Sequence, residues 1–217
     1  MKRLCIISVM FVLVMAGAAF AGVAGTPHDL TGGSGEICVA CHTPHGAVVS
    51  TNGPLWNRNQ ASQSYTVYTS ATFDMGPASV SAPQSIACLT CHNGVASTVV
   101  NAPGPGTTSP SSYDIAAGAI ANWDATPNTF ANIGTDLSND HPIGFTYNTT
   151  ADVQNNGFPT VTANQIGSTG MYVYAGKMEC ATCHDVHNQA VPSRSPVYFL
   201  RTSNTNSAMC LACHTTK

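Results

Sequence analysis

Charged residues are scarce in this chain, and so are the usual signatures of an enzyme. Only 8% of its 217 residues are charged, and no long stretch shows the apolar periodicity of an amphipathic helix. No nucleotide-binding loop, catalytic triad or paired-carboxylate motif stands out. Ser, Thr, Asn, Gly and Pro are abundant instead, which favours a chain that is mostly coil. The scattered acidic residues are expected to be solvated or to form hydrogen bonds, as at Asp29, Glu36, Glu179 and Asp185.

What the chain does contain is one motif used four times. The pattern Cys-x-x-Cys-His occurs at residues 38–42, 88–92, 180–184 and 210–214. Histidine occupies 8 of 217 positions, so it would follow all four thiol pairs by chance only about twice in a million. A zinc ribbon or a short disulfide uses the paired thiols without requiring that histidine. The pattern therefore favours covalent attachment of c-type haem.

The chemistry of haem attachment explains the residue types. Two thiols add across the vinyl groups of a haem, and the adjacent histidine binds the iron as its proximal ligand. The predicted attachment cysteines are Cys38, Cys41, Cys88, Cys91, Cys180, Cys183, Cys210 and Cys213. The predicted proximal ligands are His42, His92, His184 and His214. We expect four haem c groups, each with one iron.

The remaining histidines match the number of distal ligands that four haems need. They are His28, His45, His141 and His187. This match predicts bis-histidine ligation at every iron. Methionine is the rival distal ligand, although it is more often packing material; the candidates are Met75, Met171, Met178 and Met209. Irons with both axial positions closed suit electron transfer, so the sequence predicts an electron-transfer protein and not an enzyme.

Spacing restricts which haem two of these histidines can serve. His45 lies three residues after His42, and His187 lies three residues after His184. If those turns are helical, each pair shares one face at about 5 to 6 Å between Cβ atoms. The two axial ligands of one iron approach from opposite sides of the ring, so His45 and His187 are each expected to bind a different haem. Spacing alone leaves open whether that haem belongs to the same chain.

The first residues have the pattern of an export signal. Lys2 and Arg3 precede an apolar run over residues 4–14 that is too short to span a membrane, and Ala-Phe-Ala follows at 19–21. This predicts a secretory signal peptide over residues 1–21, with an uncleaved anchor as the alternative. Cys5 lies within it, so the other eight cysteines form the four pairs. The protein is predicted to be exported, to the extracellular space or cell surface, or alternatively to the periplasm.

The mature chain is predicted to be a single tetrahaem cytochrome domain over residues 22–217, with a loop-rich insert at about 94–176. Its predicted fold is mostly coil with few short helices and short β-hairpins, organised around a stacked chain of haems. Residues 101–112 are rich in Pro and Gly and indicate a linker, whereas residues 145–147 and 171–174 alternate as brief strands do. Five basic residues against ten acidic ones remain after the signal, which argues against nucleic acid as a partner.

These features together resemble the subunits of extracellular multihaem c-type cytochrome filaments, or nanowires, and in particular the tetrahaem ones. The resemblance rests on the export signal, the four motifs, the extensions Cys-His-Thr-Pro-His at 41–45 and Cys-His-Asp-Val-His at 183–187, and the long polar interval. It covers the whole mature chain. It implies a head-to-tail homopolymer in which His45 binds the haem of Cys210, Cys213 and His214 in the adjacent subunit.

The resemblance also implies the partners. Electrons would come from periplasmic or outer-membrane donors and pass along the filament to extracellular acceptors. A monomeric periplasmic tetrahaem electron shuttle is the alternative function. A multihaem reductase is a third possibility, but it needs an open iron, which the full set of histidines disfavours.

Overall fold

The computed structural model describes residues 22–30, 37–47, 53–59, 63–95, 97, 131–151, 157–187 and 199–216. Within these ranges the helices are α1 (Pro83–His92), α2 (Cys180–Cys183) and α3 (Ala208–Cys213), with a 3-10 turn at Thr205–Ser207 before α3. The strands are β1 (Thr66–Val67), β2 (Asp136–Leu137), β3 (Phe145–Thr146), β4 (Val161–Thr162), β5 (Gln165–Ile166) and β6 (Lys177–Met178). The predicted signal peptide and the linker at 101–112 lie outside the described residues.

The described part of the chain is mostly coil with few short helices and small strands, as the sequence predicted. The strands form three pairs, in which β1 and β2 are parallel, while β3 with β6 and β4 with β5 are antiparallel. None of the helices in the described ranges is both long and apolar enough to cross a membrane.

Two tight turns create the hairpins. Strands β4 and β5 are joined by residues 163–164, whose φ angles are 48° and 66°. Positive φ at both central residues is the type I′ geometry, which matches the twist of paired strands. The second turn, at residues 175–176, has φ angles of 50° and 77°. It brings Tyr174 and Lys177 together, and their backbones exchange hydrogen bonds of 2.9 and 3.0 Å.

One of the two predicted strand patches forms a strand and the other does not. Phe145–Thr146 is β3 and pairs with β6. Residues 171–174 instead make isolated bridges, from Tyr172 to Gln165 and from Tyr174 to Lys177. The chain reverses at 175–176, so this segment has room for single bridges only.

A small apolar cluster joins the hairpins to α3. Its buried members are Met75, Phe145, Tyr147, Ile166, Met171, Val173, Met178 and Cys213. Three of the four methionines considered as distal ligands belong to it, and the fourth, Met209, packs against it. Their place in the cluster supports a packing role, which is the common use of methionine in a core.

Helices carry the cysteines of three of the four motifs. Pro83 stands in the first turn of α1, where its missing N–H costs no helical hydrogen bond. A capping box starts α2, in which the Glu179 N–H donates to Thr182 Oγ1 over 2.9 Å. The first motif is a single turn instead, closed by a hydrogen bond of 2.8 Å from the His42 N–H to the Cys38 carbonyl.

Candidate functional site

The four motifs lie near one another in chain order. Arg58 links the first two, since it donates to the Ala40 carbonyl in the first motif and to the Ser97 carbonyl just after the second. The Cys180 N–H of the third motif donates to Ser85 Oγ in α1, which carries the second. Cys183 of the third motif packs against the apolar cluster that contains Cys213 of the fourth. Interaction with the Cys180 thiol is the main cause that raises the pKa of Cys88, and burial raises it further.

Burial keeps several of these thiols protonated. It is the main cause that raises the pKa to about 11 at Cys41, Cys183 and Cys213. All eight described cysteines are free. A thiolate would be costly in such places, whereas the thioether formed on haem attachment carries no charge. The buried thiols therefore fit haem attachment.

Two proximal histidines have one ring nitrogen held by the backbone. His42 Nδ1 donates to the Pro54 carbonyl over 2.8 Å, and His92 Nδ1 donates to the Ala131 carbonyl over 2.6 Å. Because a carbonyl only accepts, the proton is on Nδ1 and the lone pair of Nε2 is left for a metal. Both rings are thus prepared to bind iron.

Two pairs of histidine rings lie about 6 Å apart, which is close to the spacing of two ligands on one iron. The ring centroids of His42 and His187 are 6.1 Å apart, with 31° between the ring planes. Those of His28 and His92 are 6.0 Å apart, with 46° between the planes. Each pair combines a predicted proximal ligand with a predicted distal ligand from a distant part of the chain. The sequence did not predict these pairings.

His28 is the more enclosed of the two partners. Burial is the main cause that lowers its pKa to about 4, and the nearby His92 and His184 lower it further. Its Nδ1 atom is buried and has no hydrogen-bond partner among the described residues. A neutral imidazole is the form that binds a metal, so this environment fits a ligand.

The other two predicted distal ligands lie on the surface, as does His187, whose side chain is 61% exposed. His45 follows the first motif, and its carbonyl accepts a hydrogen bond of 2.9 Å from Thr43 Oγ1. His141 Nδ1 donates to the Pro142 carbonyl over 3.0 Å, which again leaves Nε2 for a metal.

The helical spacing considered for His184 and His187 does not occur. Helix α2 ends at Cys183, and His184 is extended, with φ −112° and ψ 146°. The two rings are therefore not neighbours on one helical face. We still expect His187 to bind a different haem from that of His184, because its ring lies beside that of His42.

A buried arginine, which sequence reasoning missed, lies between the first two motifs. Arg58 is fully buried, and it donates from Nε to the Ala40 carbonyl over 2.7 Å and from Nη1 to the Ser97 carbonyl over 3.2 Å. Its charge acts on the thiols of Cys41 and Cys91, lowering their pKa against the effect of burial. The one sequence signal was the scarcity of basic residues, 7 in 217.

A buried carboxylate ties the second and third motifs together. Glu179 accepts a hydrogen bond from Ser85 Oγ in α1, and the same hydroxyl oxygen accepts from the Cys180 N–H over 3.0 Å. Burial raises the pKa of Glu179, although the Ser85 hydroxyl lowers it in part. The sequence allowed either solvation or hydrogen bonding for this residue, and the structure shows buried hydrogen bonding.

These arrangements fit a multihaem c-type cytochrome, because paired thiols and histidines recur side by side. Residues 173–217, which contain the third and fourth motifs, match the family described as Doubled CXXCH motif. No curated protein matches the chain at a significant level. The doubled motif indicates covalently bound haem c and electron transfer, although some multihaem cytochromes are reductases. Across the described ranges no three His, Cys, Asp or Glu side chains are grouped to hold a metal ion. The histidine rings that approach each other there form the two pairs described above.

Proposed function

We propose that this protein is a tetrahaem cytochrome that polymerises head to tail into an extracellular filament and conducts electrons along it. The observation that carries the proposal is the order of the motifs in space. Arg58 joins the first motif to the segment just after the second, through the carbonyls of Ala40 and Ser97. The Cys180 N–H of the third motif donates to Ser85 Oγ in α1, which carries the second. Cys183 of the third motif packs against the cluster that contains Cys213 of the fourth. Each thiol marks the edge of one haem, so the four haems would form an unbroken line through the subunit. Electron tunnelling falls steeply with distance, and a line of neighbours is the arrangement that sustains it.

The chain's own residues have separate roles in this conduit. The bound haem would supply an iron that cycles between the ferric and ferrous states. The eight thiols would hold the haems covalently, and the proximal histidines would bind their irons. The distal histidines would bind the same irons and keep small molecules away from them. No group is required to move during electron transfer, which suits side chains held by backbone hydrogen bonds.

Two exposed surfaces support a head-to-tail polymer. At the first motif, His45 and Leu55 are exposed, with 53% of Leu55 accessible. At the fourth motif, Cys210 and Leu211 are exposed, with 46% of Leu211 accessible. A contact between two different surfaces of the same subunit generates an open polymer unless the rotation closes it. In the proposed contact, His45 completes the iron of His214 in the next subunit.

Replacing one histidine tests the filament. His45→Ala should abolish filaments in electron micrographs of the secreted protein while mass spectrometry still finds four haems attached. His141→Ala is the matched control, since it also removes an exposed predicted distal ligand but should leave filaments intact. Normal filaments from His45→Ala would refute the inter-subunit role of this residue. Discrete particles from the wild-type protein would instead favour the monomeric shuttle.

A second measurement separates the conduit from a reductase. If all irons are closed, the reduced wild-type filament should leave its haem absorption bands unshifted under carbon monoxide. A shift would show an open iron, which a reductase needs and a conduit does not.

A further inference from the structure

We infer that His187 is the distal ligand of the iron held by His42, and that His28 is the distal ligand of the iron held by His92. The inference rests on the proposed haem-binding function, and it specifies which remote segment completes each of the first two sites. It is carried by the two ring pairs of the described residues, which lie 6.1 and 6.0 Å apart.

The distance between the rings is close to the distance that two axial ligands need. A metal to imidazole nitrogen bond is about 2.0 to 2.1 Å, and the centre of the ring lies about 1.1 to 1.2 Å beyond that nitrogen, so two opposed ligands place their centroids about 6.2 to 6.6 Å apart. The two observed separations fall just short of this range. Ordinary aromatic contacts have ring centroids about 4.5 to 7 Å apart, so what marks these two pairs is that each joins a proximal candidate with a distal one.

The position of His187 is fixed by a short pairing between two segments. The Asp185 N–H donates to the Phe199 carbonyl, and the Arg201 N–H donates to the Cys183 carbonyl, each over 2.8 Å. Arg201 Nη1 also binds Asp185 Oδ2 at 3.0 Å. These contacts hold the carboxylate of Asp185 in place next to His187.

Asp185 in turn directs the ring of His187. Its Oδ1 atom accepts from the His187 N–H over 3.1 Å and lies 3.7 Å from His187 Nδ1. This separation is longer than a hydrogen bond, so the carboxylate favours a proton on Nδ1 by its charge alone, which leaves Nε2 to bind iron. His42, whose ring faces that of His187, also has its proton on Nδ1, because this nitrogen donates to the Pro54 carbonyl. Both members of the pair therefore have Nε2 available.

His28 is held by different contacts. Its N–H donates to Thr26 Oγ1 over 3.2 Å, and its ring meets Phe199 edge-on at 4.6 Å. The Gly22 N–H donates to the His187 carbonyl over 3.1 Å, which attaches this N-terminal segment to the one that carries His187. The two distal ligands are therefore positioned together. Loss of either segment should disturb both of the first two sites.

The pairing is crosswise along the chain. The first site takes its ligand from a residue after the third motif, and the second takes its ligand from before the first motif. The irons of His184 and His214 are then left with His45 and His141. This division is compatible with the proposed role of His45 in the next subunit.

The pairing is tested by combining ligand and attachment variants in the secreted holoprotein. His187→Ala should add one carbon monoxide site per reduced chain relative to its parent. The same substitution in a Cys38→Ala/Cys41→Ala background should add none, because the haem that His187 serves is gone. In a Cys88→Ala/Cys91→Ala background it should again add one. An added site in the first background, or none in the second, would overturn the assignment of His187.

The reciprocal set tests His28 in the same way. His28→Ala should add one carbon monoxide site to the wild-type chain and none to the Cys88→Ala/Cys91→Ala chain, and one site added in the latter would overturn its assignment. If these chains do not accumulate, an experimental density map of the unaltered holoprotein decides the question by showing which ring opposes His42 and which opposes His92.

The proposed function can fail separately from the pairing. Haem content from mass spectrometry and filaments from electron microscopy are measured on the same wild-type preparation. A chain without haem would end both proposals. A chain with four haems, filaments and other axial pairs would end only the pairing.

Discussion

Arg58 offers a direct test of how the first two motifs are held together. Its guanidinium group is fully buried and donates to the carbonyls of Ala40 and Ser97, two residues that are themselves fully buried. Arg58→Met keeps much of the side-chain length and apolar stem but removes the charge and the guanidinium donors. Arg58→Lys is the matched control, since it keeps the charge and can reach one carbonyl at a time.

The expected loss of stability follows from those two hydrogen bonds. A buried polar group left without its partner costs about 1 to 3 kcal/mol, so two carbonyls that lose their donor predict a cost of about 2 to 6 kcal/mol for Arg58→Met. Arg58→Lys should cost about half as much on the same reasoning. Whole domains are stable by only about 5 to 15 kcal/mol, so the methionine variant should be visibly impaired.

Guanidinium denaturation of the holoprotein measures this cost as a shift of the midpoint at constant slope. Redox titration gives a second readout. A buried positive charge near Cys41 and Cys91 favours the reduced iron, so Arg58→Met should lower the potentials of the first two sites, whereas Arg58→Lys should largely retain them. A methionine variant within about 0.5 kcal/mol of the wild type, the usual range for surface substitutions, would refute the assigned role.

Two further substitutions test the loops and the buried carboxylate. Gly144→Ala should be strongly destabilising in thermal melts, because its φ is +74° and an added Cβ would overlap the Ser79 carbonyl. Gly134→Ala is the control, since its φ is +75° but the space around it is open, and it should cost only about 1 to 2 kcal/mol. Equal losses of stability in the two variants would contradict the clash. Burial raises the pKa of Glu179 above its usual 4.5, so the folded protein holds this proton more tightly and loses stability as pH rises through the folded pKa. The melting temperature of the wild type relative to Glu179→Gln should therefore fall from acid to neutral pH, and a constant difference would contradict it.

Covalent chemistry is the part of the site that local spacing encodes. A haem is attached by residues within five positions of one another, so the four motifs and their thiols could be identified without a fold. The coil-rich architecture was also predicted from composition, because the chain has few charged residues and many residues that favour turns over long helices. The strand at Phe145–Thr146 was predicted from its alternation, whereas 171–174 was wrong as a strand because the turn beyond it leaves room only for bridges.

The partners of the charged residues could not be predicted in the same way. Glu179 meets Ser85 across 94 positions of sequence, and Arg58 meets Ser97 across 39. A buried charge looks like a surface charge when only its neighbours in sequence are known. Its burial is decided by which distant carbonyls and hydroxyls are available to compensate for lost hydration.

The histidines show the division most clearly. The sequence by itself predicted their chemistry, since eight imidazoles for four motifs are enough for two axial ligands at each iron. Only the tertiary structure decided that His187 lies beside His42 and His28 beside His92. A distal ligand approaches from the face of the ring opposite to the attached histidine, and the chain reaches that face only by folding back from a remote segment. The spacing of residues within a motif does not show which remote segment folds back. The number of candidate ligands can therefore be counted in the sequence, whereas the histidine that each one faces depends on the fold.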